Sequence, residues 1–273
     1  MTSTIEILNP GASASKARVA LFDFDGTVSL IRAGWVDVMA PMMVEHLLAL
    51  KTGESEADLR ALVEDFVGRL TGRQTIYQMI AFVDEMKKRG GEPLEPLEYK
   101  HMYLDRLNER IKDRIESLEK ERVEPESMMV PGARRLIEAL KERGLKLYLA
   151  SGTDEPYMKR EAELLRVDGY FDGGIFGAQD DYKSFSKKIL IERIIKSSEF
   201  EGREFLGFGD GFVEIENVKE VGGVAVGVAT DEPLCERVDP VKRKRLAAVG
   251  ADWIIPHYAE HDELMAALFN GGR

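Results

Sequence analysis

Acidic and hydroxyl-bearing side chains stand at the ends of three apolar runs, and their spacing sets what they can do. The first group is Asp23-Phe24-Asp25-Gly26-Thr27, directly after the apolar stretch that begins at Val19. On an ideal strand, residues two apart point the same way, so Asp23 and Asp25 converge. Neighbouring carboxylates repel each other unless a cation or a proton lies between them. Gly26 lets the chain turn sharply away from a sheet. An Asp-Gly turn that merely closes a strand has the same residues, so this pair alone does not establish chemistry.

The second group is Phe208-Gly209-Asp210-Gly211-Phe212-Val213-Glu214, which again puts an acid just past an apolar run. Glu214 follows four residues later, near a helix start, where it can face back toward Asp210. Hard oxygen donors of this kind suit Mg²⁺, which takes one or two carboxylates and leaves room for water and phosphate oxygens. An acid in a first helical turn is also favourable without any metal. The third group is Ala150-Ser151-Gly152-Thr153-Asp154. A hydroxyl and backbone N–H groups at a strand end can hold a phosphate, although the same residues serve as ordinary helix caps. A cation is needed to neutralise a transferring phosphoryl group. Lys183, Lys187 and Lys188 all lie before or at the start of the stripe Ile189, Leu190, Ile194, and spacing alone does not choose among them.

These groups need a scaffold that brings strand ends together. Apolar, β-branched runs at 19–24, 145–150, 205–208 and 224–228 read as buried parallel strands, with shorter candidates at 253–255 and 174–176. Residues 5–8 could add an edge strand or form a loose tail. Helical stripes alternate with the strands, which implies a parallel sheet covered on both faces. Residues 31–125 break the rhythm. Stripes on Met39/Met43/Leu47, Leu59/Val63/Phe66, Ile76/Met79/Val83 and Tyr103/Leu107/Ile111 predict an all-helical insert. The expected organisation is therefore an α/β core of residues 1–30 and 126–273, Rossmann-like, with a helical cap at 31–125. The methionines are expected to pack inside the cap.

The chain has 273 residues and a net charge of −11. That balance argues against a general nucleic-acid binder or a protein held on an anionic membrane surface. Cys235 is the sole cysteine, so no intrachain disulfide forms. No apolar run approaches the roughly 18 residues of a membrane span, and residues 1–16 lack the pattern of a signal peptide. A cytoplasmic location and a monomer or homodimer are expected. The basic run Lys242-Arg243-Lys244-Arg245 is expected to be a solvated helix face.

Taken in order, Asp23-x-Asp25-Gly26-Thr27, Ser151, a lysine, and Gly209-Asp210-Gly211-x-x-Glu214 resemble the four motifs of haloacid-dehalogenase superfamily phosphatases, with the insert similar to their type 1 helical cap. The match spans residues 23–214. The resemblance implies that Asp23 is the nucleophile that forms an aspartyl-phosphate. Asp25 would protonate the leaving group and then activate water. Ser151 would hold a phosphoryl oxygen, with Gly26, Thr27, Gly152 and Thr153 beside the substrate. Lys187, which best fits the helix-start pattern of the phosphoserine-phosphatase-like members, would bind the phosphate. Asp210 would bind Mg²⁺ with Asp23 and the backbone carbonyl of Asp25, and Glu214 would assist directly or through water. An acid at position 25 disfavours ion pumps and dehalogenases. Arg32 and Arg73, in or beside the insert, could bind a carboxylate or a second phosphate on the substrate. The expected function is Mg²⁺-dependent hydrolysis of a small phosphorylated metabolite. A phosphomutase using the same aspartates and a catalytically silent binding module are the alternatives.

Overall fold

The computed structural model describes residues 3–179, 186–197 and 200–270. The apolar runs form one sheet of seven strands: β1 (Glu6–Ile7), β2 (Val19–Phe22), β3 (Lys146–Asp154), β4 (Gly174–Ala178), β5 (Phe205–Gly209), β6 (Val224–Val228) and β7 (Trp253–Ile255). Their spatial order is β1-β7-β6-β5-β2-β3-β4. Every pair is parallel except β1–β7, so residues 5–8 do supply an edge strand. Along β2, Ala20 and Phe22 face one apolar layer and Val19 and Leu21 the other, as strand alternation requires. Burial on both faces accounts for a continuous apolar run where a one-sided sheet would show alternation.

Two strand ends depart from expectation. β2 stops at Phe22, two residues early, and the Asp23 N–H makes a last bond to the Phe208 carbonyl at 2.9 Å. β3 runs on to Asp154 through an irregularity between Ala150 and Asp154, so Ser151, Gly152 and Thr153 lie within a strand, not in a turn beyond it.

Helices cover the sheet: α5 (Ala133–Glu142), α6 (Glu155–Leu164), α7 (Lys187–Lys196), α8 (Phe212–Glu220), α9 (Pro240–Ala248) and α10 (His261–Asn270). Four others fill the insert: α1 (Val36–Leu48), α2 (Glu56–Arg69), α3 (Thr75–Lys88) and α4 (Pro96–Glu119). Local chemistry sets their starts. Ser55 accepts the amide hydrogen of Asp58 at 3.1 Å, while Pro96 opens α4 under a reciprocal pairing of Glu95 and Glu98. The predicted stripes are the buried faces, and Met39, Met42, Met43 and Met79 are core residues.

The chain crosses between sheet and insert twice, and the two crossings bind each other. Leu30 N–H donates to the Met128 carbonyl at 2.8 Å, and Val130 N–H to the Val28 carbonyl at 3.0 Å. Segments 27–34 and 125–131 are thus a single paired strap. The apolar layer continues through it, from Phe22 and Phe24 by way of Val28, Ile31 and Met129 into the helices of the insert.

Candidate active site

The sheet order changes direction at β2, which lies between β3 and β5, while β4 and β6 lie outward on either side. Ligands of open α/β sheets bind beyond the carboxyl ends of the strands at such a switch point. The register makes this concrete. Phe22 is level with Leu149 on one side and Phe208 on the other. The next residues along the three strands are therefore Asp23, Ala150-Ser151 and Gly209-Asp210. Phe22 and Phe208 stack at 4.5 Å beneath them.

Asp23 is 5% exposed, and its carboxylate accepts from Lys187 Nζ at 2.6 Å. Burial raises its pKa most. Lys187 opposes that, Asp210 and Asp25 reinforce it, and the result is about 7 against an ordinary 3.8. Lys187 opens α7 and is itself buried. It is the lysine the structure places at the site; Lys183 lies outside the described residues.

Asp25 is clamped on one side. Thr153 Oγ1 donates to its Oδ2 at 2.8 Å, and Ser151 Oγ donates to the same atom at 3.2 Å. Ser151 Oγ also accepts the Thr153 amide hydrogen at 3.0 Å, which fixes the hydroxyl geometry. Asp25 Oδ1 is buried and has no hydrogen-bond partner among the described residues. One oxygen is thus held and the other is buried without a hydrogen-bond partner among the described residues.

Gly26 and Thr27 do not line the cleft. Gly26 takes a left-handed φ of 71°, and a Cβ there would meet the carboxylates of Asp210 and Glu232. The Thr27 hydroxyl is fully buried and accepts the Asp210 amide hydrogen at 2.9 Å. These two residues shape the turn beneath Asp210.

Glu214 and Asp210 were expected to face each other, and they take different cations instead. Glu214, in the first turn of α8 and fully buried, is ion-paired with Lys187. A fully buried carboxylate needs a counter-charge, and Lys187 is the one supplied. Asp210 Oδ2 accepts from Lys242 Nζ at 2.9 Å, and Lys242 also reaches Glu232 Oε1 at 2.6 Å. Burial disfavours the Lys242 charge, but Asp210 and Glu232 outweigh it and raise its pKa. Burial raises the pKa of Glu232, with Asp210 and Asp25 adding to the effect and Lys242 opposing it. Glu232 and Lys242 are missing from the sequence reading. Glu232 lies four residues past β6, so the strand-end rule that found Asp23 and Asp210 could have found it. Lys242 was set aside with its basic neighbours as a solvated face; it packs on the acids, and Arg243 pairs with Glu6 at 2.7 Å.

Arg32 is also engaged. Its guanidinium donates to Glu161 of α6 from Nε at 3.0 Å and from Nη2 at 2.7 Å, with both side chains nearly fully buried. Burial works against the Arg32 charge, and Glu161 more than offsets this. Arg73, in contrast, is exposed at the cleft mouth, with its guanidinium 5.8 Å from the ring of Tyr77. Its backbone closes the site: a Cβ on Gly152 would stand 2.5 Å from the Arg73 carbonyl oxygen, and one on Gly211 would stand 2.8 Å from Gly72 Cα. The loop at 71–74 therefore packs backbone to backbone on the end of β3 and on the turn that holds Gly211. Lys100 of α4 adds an ion pair to Asp154 at 2.6 Å.

Asp23, Asp25 and Asp210 put three acids around one cleft, which also takes in Arg32, Ser151, Gly152, Thr153 and Arg73, with a volume of about 70 Å³. The donor set fits Mg²⁺. Asp210 and Asp25 raise the cost of ionising Asp23, hard oxygens predominate, and the free Asp25 Oδ1 marks uncompensated polarity. Among the described residues no group of three or more His, Cys, Asp or Glu side chains is arranged as a metal cluster. Two carboxylates and a carbonyl are compatible with that, because Mg²⁺ keeps several waters.

A mostly parallel sheet with acids at its switch point and a helical insert over them defines a protein of the α/β class. The family model for haloacid dehalogenase-like hydrolases matches residues 17–222, and the chain belongs to that family. It is accordingly a hydrolase. No curated protein matches it. Among solved structures, it is similar to a phosphonoacetaldehyde hydrolase-like protein from Oleispira antarctica (13% identity, 95% of each chain covered, TM-score 0.61). It is also similar to a predicted phosphoglycolate phosphatase from Haemophilus somnus 129PT (15% identity, 92% of this chain and 98% of that one, TM-score 0.58). A third is a predicted phosphatase from Clostridium acetobutylicum (17% identity, 91% and 98%, TM-score 0.56). At these identities the likeness is one of fold. Among the described residues, no helix is long and apolar enough to cross a membrane.

Proposed function

We propose that the protein is a Mg²⁺-dependent phosphatase that hydrolyses a small phosphomonoester through an aspartyl-phosphate on Asp23. The observation that carries this reading is the pairing of roles at the β2 end. Asp23 accepts from the Lys187 ammonium at 2.6 Å, while Asp25 has one oxygen clamped by Ser151 and Thr153 and the other unpaired. A nucleophile needs the first environment and a proton-transfer group the second.

In the first half-reaction an Asp23 oxygen attacks phosphorus and the ester P–O bond breaks. Asp25 gives its proton to the departing alkoxide, which leaves as an alcohol. In the second, Asp25 takes a proton from water as its oxygen attacks the same phosphorus. The acyl-phosphate bond breaks, inorganic phosphate leaves and Asp23 is restored. Ser151 and the amides of the β3 end hold phosphoryl oxygens, and Lys187 balances their charge. Asp23, Asp210 and the Asp25 backbone carbonyl would hold Mg²⁺, which when bound supplies further charge neutralisation. The 71–74 loop excludes water from the cleft.

Phosphate release from p-nitrophenyl phosphate tests the reading. Asp23→Asn is expected to abolish release while the far-ultraviolet circular dichroism is unchanged; turnover retained in that variant removes Asp23 as nucleophile. Stoichiometric free phosphate separates a phosphatase from a mutase, which would return the phosphoryl group to its substrate.

A further inference from the structure

The cleft has an inner wall that the hydrolytic reading does not use. It is built by the insert, beyond Asp25, from Trp35, Met39, Gln78 and Tyr103, with Arg32 at its base. Three observations fix its chemistry.

The first is Gln78. Its side chain is 97% buried within the cleft lining, and its Oε1 has no hydrogen-bond partner among the described residues. Buried amide oxygens are nearly always paired, so an unpaired one in a binding cleft awaits a donor from the ligand. The second is Tyr103. Its side chain is buried in the cleft lining, close enough to Asp25 and Arg32 to sense both charges. Burial raises its pKa and keeps the O–H protonated, so it can both donate and accept. The third is the state of Arg32. The sequence offered it as a receptor for a carboxylate or a second phosphate. In the structure Glu161 neutralises it at 2.7 Å. Lys187 is committed to Asp23 and Glu214. Arg73 lies exposed at the mouth.

The inner wall therefore offers hydrogen bonds and apolar surface but no uncommitted charge. An anionic leaving group would be buried there without a counter-ion, and an ammonium group would find only the catalytic acids. Either burial is costly. A hydroxyl is the neutral group that donates to Gln78 Oε1 and exchanges hydrogen bonds with a phenol. Resting on the phosphatase reading above, we propose that the substrate is the phosphomonoester of a short neutral polyol, with Gln78 and Tyr103 reading a leaving-group hydroxyl. These are specificity residues; the bond-making steps stay with Asp23 and Asp25. The cleft volume of about 70 Å³ suits a short leaving group.

The test compares three-carbon esters that differ only in the group offered to the wall: glycerol 3-phosphate, n-propyl phosphate and 3-phosphoglycerate, with p-nitrophenyl phosphate as a general probe. The intact wild-type protein is expected to favour glycerol 3-phosphate over each of the other two three-carbon esters by at least about tenfold in kcat/KM, since a site built to bond a hydroxyl rejects the analogue that lacks it. Gln78→Leu is expected to reduce that preference to within about threefold, with the loss confined to the glycerol ester. Tyr103→Phe is expected to move the ratio the same way. A wild-type preference for the propyl or carboxylate ester overturns the proposal, as does an unchanged ratio in folded Gln78→Leu. If that variant does not fold, the wild-type ratios still decide. Release from the aryl ester with none from glycerol 3-phosphate refutes the polyol assignment and leaves the phosphatase reading standing. No release from any ester refutes both.

Discussion

Asp23 is pulled in two directions, and the balance is measurable. Burial and the neighbouring acids raise its pKa to about 7, against the pull of Lys187. A carboxyl whose pKa is raised on folding binds its proton more tightly in the folded state. Its contribution to stability is therefore greatest below the unfolded value near 3.8 and declines as pH rises toward about 7, after which it is level. In metal-free protein, the difference in melting temperature between wild type and Asp23→Asn is expected to widen across that window and stay constant above it. A difference independent of pH would mean that Asp23 ionises normally. The same residue shows what a sequence can reveal. Asp23 and Asp210 were legible because each directly follows a strand, and Asp25 because it lies two residues beyond Asp23. The cations that hold them were not. Lys242 is 32 residues from Asp210, and Arg32 is 129 from Glu161. Which charge neutralises which is decided by packing between distant elements, and no spacing rule reports that.

At the scale of elements, helix stripes and strand runs predicted the architecture because burial imposes a period on each. The failures are local and have causes. β3 runs past Ala150 since β4 continues to pair with it as far as Asp154. Gly152 looked like a phosphate-cradle residue, and its lack of a side chain is also required by the Arg73 carbonyl packed against it. Gly152→Ala should hold the 71–74 loop away from the site. The expected result is a loss of about tenfold or more in kcat/KM, equivalent to about 1.4 kcal/mol or more of transition-state stabilisation, with faster proteolytic cleavage in that loop. Unaltered kinetics would mean the loop contact is incidental. α6 meets the strap through the Arg32–Glu161 pair, buried on both sides. Glu161→Gln leaves the guanidinium without its counter-charge, and a destabilisation of about 3–5 kcal/mol is expected in chemical denaturation. A loss under about 1 kcal/mol would class the pair with exposed ones.

For the whole molecule, a net charge of −11 gains a location. Asp23, Asp25, Asp210, Glu214 and Glu232 gather about the ends of β2, β5 and β6, with Lys187 and Lys242 set among them. A cation that binds only the folded arrangement stabilises it by mass action. Mg²⁺ is expected to raise the melting temperature progressively with concentration, EDTA to reverse the rise, and Asp210→Asn to abolish it. An equal rise in that variant would place the cation elsewhere.

The strap between insert and sheet has a mechanical meaning. Two separate connections would give the insert the freedom of a ball joint, able to swing and to twist. Joined by the Leu30–Met128 and Val130–Val28 hydrogen bonds, they act as the pin of a door. A joint of that kind permits rotation about one axis, which would return Gln78, Tyr103 and the 71–74 backbone to the same place at the cleft. A site whose two halves come from different parts of the chain keeps its registration through repeated cycles by that restriction.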